Sequence, residues 1–296
     1  MENKLMAVDE SMSTGSVMFW TMHSDTPFGA LVEALEEIGV PKEDAPHQPT
    51  PLRALHRACG TLPGRDLLVR PLTESHHEDG EDKEGYAILH RTKIAGKVAF
   101  VTEVEAWLAP AGNLPYDPDP LLAKADGTEP DEEVIEVIVL AYRHERAHLA
   151  HSDVSAWLIS LVKRHGGIAL RESGSVYWVP RDAIAYFRRI KGVLATLGAG
   201  SVYEVPALHG AQAVEAVMAA LAAEAEEEIG KLDAALNEGE LGKRALASRA
   251  ERAARVDAKL RAYEETMGEK LEGLRERIAA LGANLMSASL RAEVSA

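Results

Sequence analysis

The chain has 296 residues, with 32 Lys and Arg against 47 Asp and Glu, and its net charge of −15 excludes a uniformly basic nucleic-acid binder. Hydrophobic residues make up 46% of the chain, which excludes a wholly disordered protein. The single cysteine, Cys59, excludes an intramolecular disulfide and fits a reducing compartment. No apolar run approaches the ~20 residues that cross a bilayer, and the acidic start is unlike a signal peptide. We therefore expect a soluble, cytoplasmic protein.

The N-terminal part predicts a mixture of helices and strands. The apolar run at residues 16–22 predicts a first strand, and residues 28–38 have the apolar spacing of a helix that ends at Gly39. Three further runs are rich in β-favouring residues, and they predict an antiparallel meander over residues 66–72, 85–91 and 98–108. Prolines and glycines then predict a linker at residues 111–130.

The middle part, residues 131–206, predicts a helix, a second helix, a β-hairpin and a third helix. The first helix is expected over residues 131–149, although its β-branched residues also allow a strand. Ser152 or Asp153 is expected to cap the second helix, which ends at Gly166-Gly167. The turn at residues 173–175 joins the two runs of the hairpin. This order resembles the local layout of a winged helix, with the hairpin as the wing.

A basic segment lies in this middle part, because residues 143–191 hold 9 Lys and Arg against 4 Asp and Glu. In a nucleic-acid-binding module such residues meet phosphates, and an aromatic ring can stack on a base. The candidate nucleic-acid-binding residues are Lys163, Arg164, Arg171, Tyr177, Arg188, Arg189 and Lys191. The alternative is that these arginines pair with the acidic N-terminal half and serve only the fold.

The last third predicts two long helices. Apolar residues from Val214 to Leu236 are spaced by three or four, and a second series continues from Leu260 to Leu285. We expect an antiparallel helical hairpin, a coiled coil, over residues 207–296. The longer second helix leaves part of its apolar seam without a partner, so residues 246–285 are expected to join a second copy or a protein partner.

A zinc site is the alternative chemistry. His144 and His148 are spaced so that they share one face of a helix, Glu145 lies between them as a general base, and His151 is a possible third ligand. Arg146 within the string and the missing downstream ligand pattern weigh against this site.

The sequence thus predicts an α+β protein in four parts: an α+β domain at 1–110, a linker at 111–130, a winged-helix-like module at 131–206 and a helical arm at 207–296. The expected function is a non-enzymatic, intracellular assembly or interaction protein, oligomeric and without cofactor, in which the basic module contacts nucleic acid. The alternatives are a zinc-dependent hydrolase at residues 144–148, or an enzyme whose site in the acidic N-terminal part has no recognisable motif.

Overall fold

The structure is a computed structural model that describes residues 13–62, 67–72, 84–94, 97–108, 119–124, 127–171, 176–208, 210–237 and 243–294. The chain forms two compact units. The first unit comprises residues 1–21, 155–195 and 200–296, and the second comprises residues 22–154 and 196–199. The predicted four-part division stays a prediction, and the hairpin turn at residues 173–175 lies outside the described residues.

Within the described ranges the strands are β1 (Ser13–Met22), β2 (Thr26–Pro27), β3 (Leu67–Pro71), β4 (Gly85–Ile94), β5 (Lys97–Trp107), β6 (Leu121–Lys124), β7 (His148–Leu149), β8 (Ile168–Ala169), β9 (Val176–Pro180) and β10 (Gly200–Leu208). The helices of the same ranges are α1 (Phe28–Glu37), α2 (Pro51–Cys59), α3 (Glu132–Ala147), α4 (His151–Arg164), α5 (Arg181–Thr196), α6 (Ala211–Asn237), α7 (Lys243–Met267) and α8 (Glu272–Val294). The predicted α+β class is confirmed. None of these helices has the length and hydropathy needed to cross a bilayer.

The second unit contains the predicted meander as a sheet of order β3-β4-β5-β6 with antiparallel neighbours. Helices α2 and α3 cover one face, and Leu55, Ile88, Val104 and Ile138 are buried together in its core. The strand β6 is a correction, because it lies inside the predicted linker at 111–130, of which residues 111–118 and 125–126 are outside the described part. Because prolines precede the short apolar run of β6, composition alone predicts a linker there and does not reveal the strand.

The first unit is built on a sheet of order β10-β1-β9-β8. Strand β1 pairs with β9 in antiparallel register, Gly15 opposite Pro180 and Phe19 opposite Val176. Gly15 permits a close approach, since a Cβ there would lie 2.6 Å from the indole of Trp178. Trp178 belongs to the apolar core that this sheet shares with α6, α7 and α8.

Three helices stand where the apolar spacing predicts two. The chain breaks at Gly268, whose φ of 75° is favourable only for glycine, and α8 then runs back along α7. The Glu264 carboxylate accepts the N–H of Leu271 at 2.6 Å and so satisfies a donor at the start of α8. The apolar seam of α7, which includes Leu260, is therefore buried against the same chain.

The start of α4 also differs from the prediction. The helix begins at His151, so that neither Ser152 nor Asp153 is its cap residue. Asp153 lies in the first turn, and its carboxylate accepts the N–H of Ala150 at 3.1 Å. This is the reverse bond of a capping box, which explains why an acidic residue at this position still marks the helix start.

Candidate functional site

The C-terminal end of α4 is a glycine turn. Gly166 has a φ of 79°, and the N–H of Gly167 donates to the carbonyl of Val162 at 2.7 Å. This is a Schellman-type ending, which reverses the chain directly into β8. Lys163 and Arg164, in the last turn, are left exposed.

Helix α7 binds the carbonyls of this turn. The Tyr263 hydroxyl donates to the carbonyl of Gly166, and the Lys259 ammonium donates to the carbonyl of Gly167 at 3.1 Å. The C-terminal end of a helix carries partial negative charge, so a lysine is favourable there. The Tyr263 ring also packs on Trp178 at 5.1 Å. These contacts fix α7 opposite the end of α4.

A groove of about 2000 Å³ lies between these elements within the first unit, and we call it the α4–α7 groove. One wall is formed by the ends of α4 and β8, by β9 and by the start of α5; the other is formed by α6 and α7. Among the described residues, its lining carries eight Lys and Arg against four carboxylates. The cations are Lys163, Arg164, Arg171, Arg181, Lys231, Arg252, Arg255 and Lys259, and the carboxylates are Asp182, Glu224, Glu227 and Glu228.

Carboxylates of α6 already neutralise three of these cations. Lys259 pairs with Glu224 at 2.8 Å, and Arg252 pairs with Glu228 at 2.5 Å. Lys231 pairs with Glu227 and Glu228 on its own helix. Burial alone would raise the pKa of Glu228, but its bonds to Arg252 and Lys231 outweigh burial and lower that pKa. These ion pairs persist at neutral pH.

Three other cations of the groove are exposed and have no ion-pair partner among the described residues. They are Lys163 on α4, Arg171 after β8, and Arg255 on α7. Cations on three separate elements that converge on one groove without carboxylate partners are available to an anionic ligand.

The groove contains four of the seven predicted nucleic-acid-binding residues: Lys163, Arg164, Arg171 and Tyr177. Tyr177 is only 6% exposed, and its ring stacks on Trp20 at 5.1 Å, so its faces are not open to a base. Trp178, at 2% exposed, is equally closed. The groove therefore offers charge and no open aromatic platform.

The other three predicted residues, Arg188, Arg189 and Lys191, lie on α5 and do not line the groove. Arg188 binds Glu204 of β10 through two nitrogens, at 3.0 and 2.8 Å. That bond to Arg188 is the largest cause of the lowered pKa of Glu204. Arg189 lies over the ring of Tyr186 at 5.6 Å.

The cations of α7 that line the groove were not predicted from the sequence. Arg252, Arg255 and Lys259 are spaced by three and four residues, which places them on one face of the helix. This spacing could have been recognised in the sequence. The apolar seam of the same helix, however, led to a prediction of partner binding alone.

The histidine string lies on α3 in the second unit. His144 and His148 stack at 4.1 Å, the Nδ1 of His148 bonds to the carbonyl of His144, and the Nε2 of His144 bonds to Asp25. Glu145, the proposed general base, instead faces Arg57 at 3.3 Å. No three His, Cys, Asp or Glu side chains of the described ranges, those of His144, His148 and His151 included, are placed together to hold a metal ion.

Arg57 is the centre of an ion-pair cluster in the second unit, which we call the Arg57 cluster. It binds Asp153 through two nitrogens, at 2.6 and 3.0 Å, and Arg53 reaches the same carboxylate at 2.6 Å. The Asp153 side chain is 8% exposed. Burial would raise the pKa of Asp153, but the bonds from Arg57 and from the N–H of Ala150, with the charge of Arg53, lower it.

Comparison with protein families gives a match to most of the chain. A model described as a family of unknown function (DUF6744) matches residues 15–294 and thus spans both units. No curated protein and no solved structure matches the chain.

Proposed function

The chain belongs to this family of unknown function, and we propose from its own geometry that it is a non-enzymatic, intracellular interaction protein that binds nucleic acid through the α4–α7 groove. The observation that carries the proposal is that Lys163, Arg171 and Arg255 are exposed around one groove and have no ion-pair partner within the described part of the chain. In a chain of net charge −15, cations that face solvent without carboxylate partners are best explained by an anionic partner.

The size of the groove supports a polymer as the ligand. Small-molecule sites have volumes of roughly 300–1,000 Å³, and this groove measures about 2000 Å³. Three of the four carboxylates that line it among the described residues, Glu224, Glu227 and Glu228, are bound to lysine or arginine. An extended polyanion carries a phosphate for each of Lys163, Arg171 and Arg255.

The buried aromatic rings favour recognition through phosphates alone. Tyr177 and Trp178 cannot stack on bases while they are packed in the sheet, so the groove has no means of reading sequence by stacking. Phosphate contacts carry no base information. We therefore expect similar affinity for different sequences and a steep dependence on salt.

The winged-helix-like and coiled-coil parts of the prediction belong to this proposal. We propose that α4, the β8–β9 hairpin and α5 act in the manner of a winged helix and supply one wall of the groove. We propose that the packing of α6, α7 and α8 is a coiled-coil-like brace that supplies the other wall, and that an exposed face within residues 246–285 meets a protein partner.

Fluorescence anisotropy with labelled single- and double-stranded oligonucleotides tests the groove. The wild type is expected to bind at ~50 mM salt, where phosphate contacts are strong. The triple variant Lys163→Glu/Arg171→Glu/Arg255→Glu should bind more weakly. Three lost phosphate contacts reduce the slope of log K against log salt by about 2 for a single strand. The loss should be equal for all sequences tested.

Arg244→Glu is the matched control, since Arg244 is an exposed cation of the same helix α7 that does not line the groove. It should leave both affinity and slope unchanged. Absence of wild-type binding at ~50 mM salt, where phosphate contacts are strong, removes nucleic acid as the ligand. Equal losses in the triple variant and the control would show that only net charge matters.

A further inference from the structure

Strand β5 of the second unit has an open edge. On one side β4 pairs with it from Lys97 to Trp107. On the other side β6 pairs only with Val104–Trp107, so the outer edge of residues 97–103 has no partner among the described strands. In an antiparallel strand every second residue directs its N–H and C=O to the same edge, so alternate residues of this stretch are available to another strand.

The side chains of this edge are apolar and uncharged between Lys97 and Glu103, apart from the hydroxyl of Thr102, as is typical of a strand inside a sheet. Val98 and Phe100 are each 50% exposed on one face, and Val101 is 48% exposed on the other. No charged residue and no proline stands between Lys97 and Glu103. Edge strands ordinarily carry charges, prolines or β-bulges that prevent pairing. This edge has a bulge at its end, where Val104 faces Ile88 and Thr102 faces Leu89, so that Glu103 is the extra residue. The exposed apolar stretch before the bulge is regular and is a pairing site.

The segment Lys97-Val-Ala-Phe-Val-Thr-Glu103 is complementary to itself in antiparallel orientation. With Phe100 opposite its own copy, Val98 faces Thr102 and Ala99 faces Val101. Lys97 then faces Glu103 at both ends of the pairing. Opposite charges and β-branched or aromatic pairs stabilise directly opposed positions, and a shift by two residues would lose both charge pairs.

We propose that two copies of the chain associate through this edge, β5 against β5, with a two-fold axis at Phe100. The pairing has the isologous symmetry of common homodimers, in which each surface meets its own copy. It is limited to residues 97–103, because β5 begins at Lys97 and β6 occupies the edge from Val104. This inference rests on the second unit alone and does not depend on the α4–α7 groove.

A charge-reversal cycle read by size-exclusion chromatography with light scattering tests the register. The wild-type full chain should be a dimer that dissociates on dilution. Lys97→Glu should place a carboxylate against Glu103 of the second copy at each end of the pairing. Glu103→Lys should place an ammonium group against Lys97 of the second copy at each end. Each should weaken the dimer on the order of tenfold, since each dimer contains two such pairs. The double variant Lys97→Glu/Glu103→Lys restores the complementarity and should restore the dimer.

Phe100→Arg places like charges at the two-fold axis and should give a monomer. Leu140→Arg, at a position 54% exposed on α3, is the matched control and should remain a dimer. Circular dichroism establishes that each variant is folded, and the charge cycle decides the question if Phe100→Arg is not. A wild type that is monomeric at every concentration overturns the proposal. So does a dimer that neither single reversal weakens.

Discussion

The Arg57 cluster and the α4–α7 groove are both rich in charged side chains, but the charges of the cluster stabilise the fold whereas some charges of the groove are available to a ligand. In the Arg57 cluster, Asp153 is 8% exposed and two arginines bind it directly. In the groove, Lys163, Arg171 and Arg255 are exposed and have no ion-pair partner in the described part of the chain. A buried carboxylate makes its arginines part of the fold, whereas an exposed cation without a carboxylate is available to a ligand. The role of an arginine is therefore decided by its neighbours.

The largest effect is expected from Asp153→Asn. The substitution keeps the shape of the side chain and removes the charge that Arg57 and Arg53 face. Loss of one partner of a mostly buried pair costs roughly 3–5 kcal/mol of unfolding free energy. Urea unfolding measures this loss. Asp182→Asn, at an exposed carboxylate of the groove wall, is the control and should cost less than ~1 kcal/mol. Equal losses would contradict the distinction between the two regions.

Acid should weaken the Arg57 cluster by a smaller amount, since the effect of protonation is limited by how far the fold lowers the pKa of Asp153. The pKa of Asp153 is lowered in the folded chain, against an unfolded value of ~3.9. Its contribution is therefore fully present above that unfolded value and is lost as pH falls through the folded pKa. Urea midpoints measured between pH 6 and pH 2 (an interval that brackets ~3.9) should fall less steeply in Asp153→Asn than in the wild type. Parallel curves would show that another group dominates.

Arg188 and Arg189 are adjacent on α5, so substitutions there compare an arginine bound to a mostly buried carboxylate with its neighbour in the sequence. Arg188→Glu removes a two-nitrogen bond to Glu204, whose side chain is 9% exposed, and should cost about 1.5–3 kcal/mol in urea unfolding. Arg189→Glu removes the contact with Tyr186 and should cost less, about 0.5–1 kcal/mol. Because neither residue lines the groove, oligonucleotide affinity should change in neither variant beyond the general effect seen in Arg244→Glu. A loss of affinity in both variants that exceeds the loss in Arg244→Glu would show that α5 is part of the nucleic-acid interface.

A small effect, similar to that of Arg189→Glu, is expected from Tyr263→Phe. The variant keeps the ring against Trp178 and removes the hydroxyl that donates to the carbonyl of Gly166. A net hydrogen bond contributes about 0.5–1.5 kcal/mol, so the urea midpoint should fall slightly. Thr266→Val, which alters an exposed hydroxyl of the same helix, is the control. Identical midpoints for wild type and Tyr263→Phe would show that the bond to Gly166 contributes nothing.

Local signals were sufficient for many elements of the fold. Residues 28–38, bounded by Pro27 and Gly39, predicted α1, and the meander followed from runs of β-favouring residues. The break at Gly268 was not predicted, because the apolar spacing continues from Met267 to Leu271 across it. Spacing alone cannot show whether a seam runs along one helix or turns back between two.

The candidate site was predictable only on one wall. Lys163, Arg164 and Arg171 were identified because they are close in sequence to the predicted hairpin. Lys259 is 92 residues from Gly167, whose carbonyl it binds, and nothing local indicates that contact. The Arg57–Asp153 pair spans 96 residues in the same way. Such pairs depend on the packing of whole helices, which a pattern of residue types does not specify.

The position of β1 has a consequence for synthesis on the ribosome. This strand leaves the ribosome early, yet both of its neighbours in the sheet, β9 and β10, begin at Val176 and Gly200. At ~5–20 residues per second, the roughly 150 residues between Met22 and Val176 require about 10–30 s. During this interval the apolar strand has no partner, while residues 22–154 of the second unit are already complete. The sheet of the first unit can therefore form only after β9 and β10 have been synthesised, and β1 has no neighbour in its sheet until then.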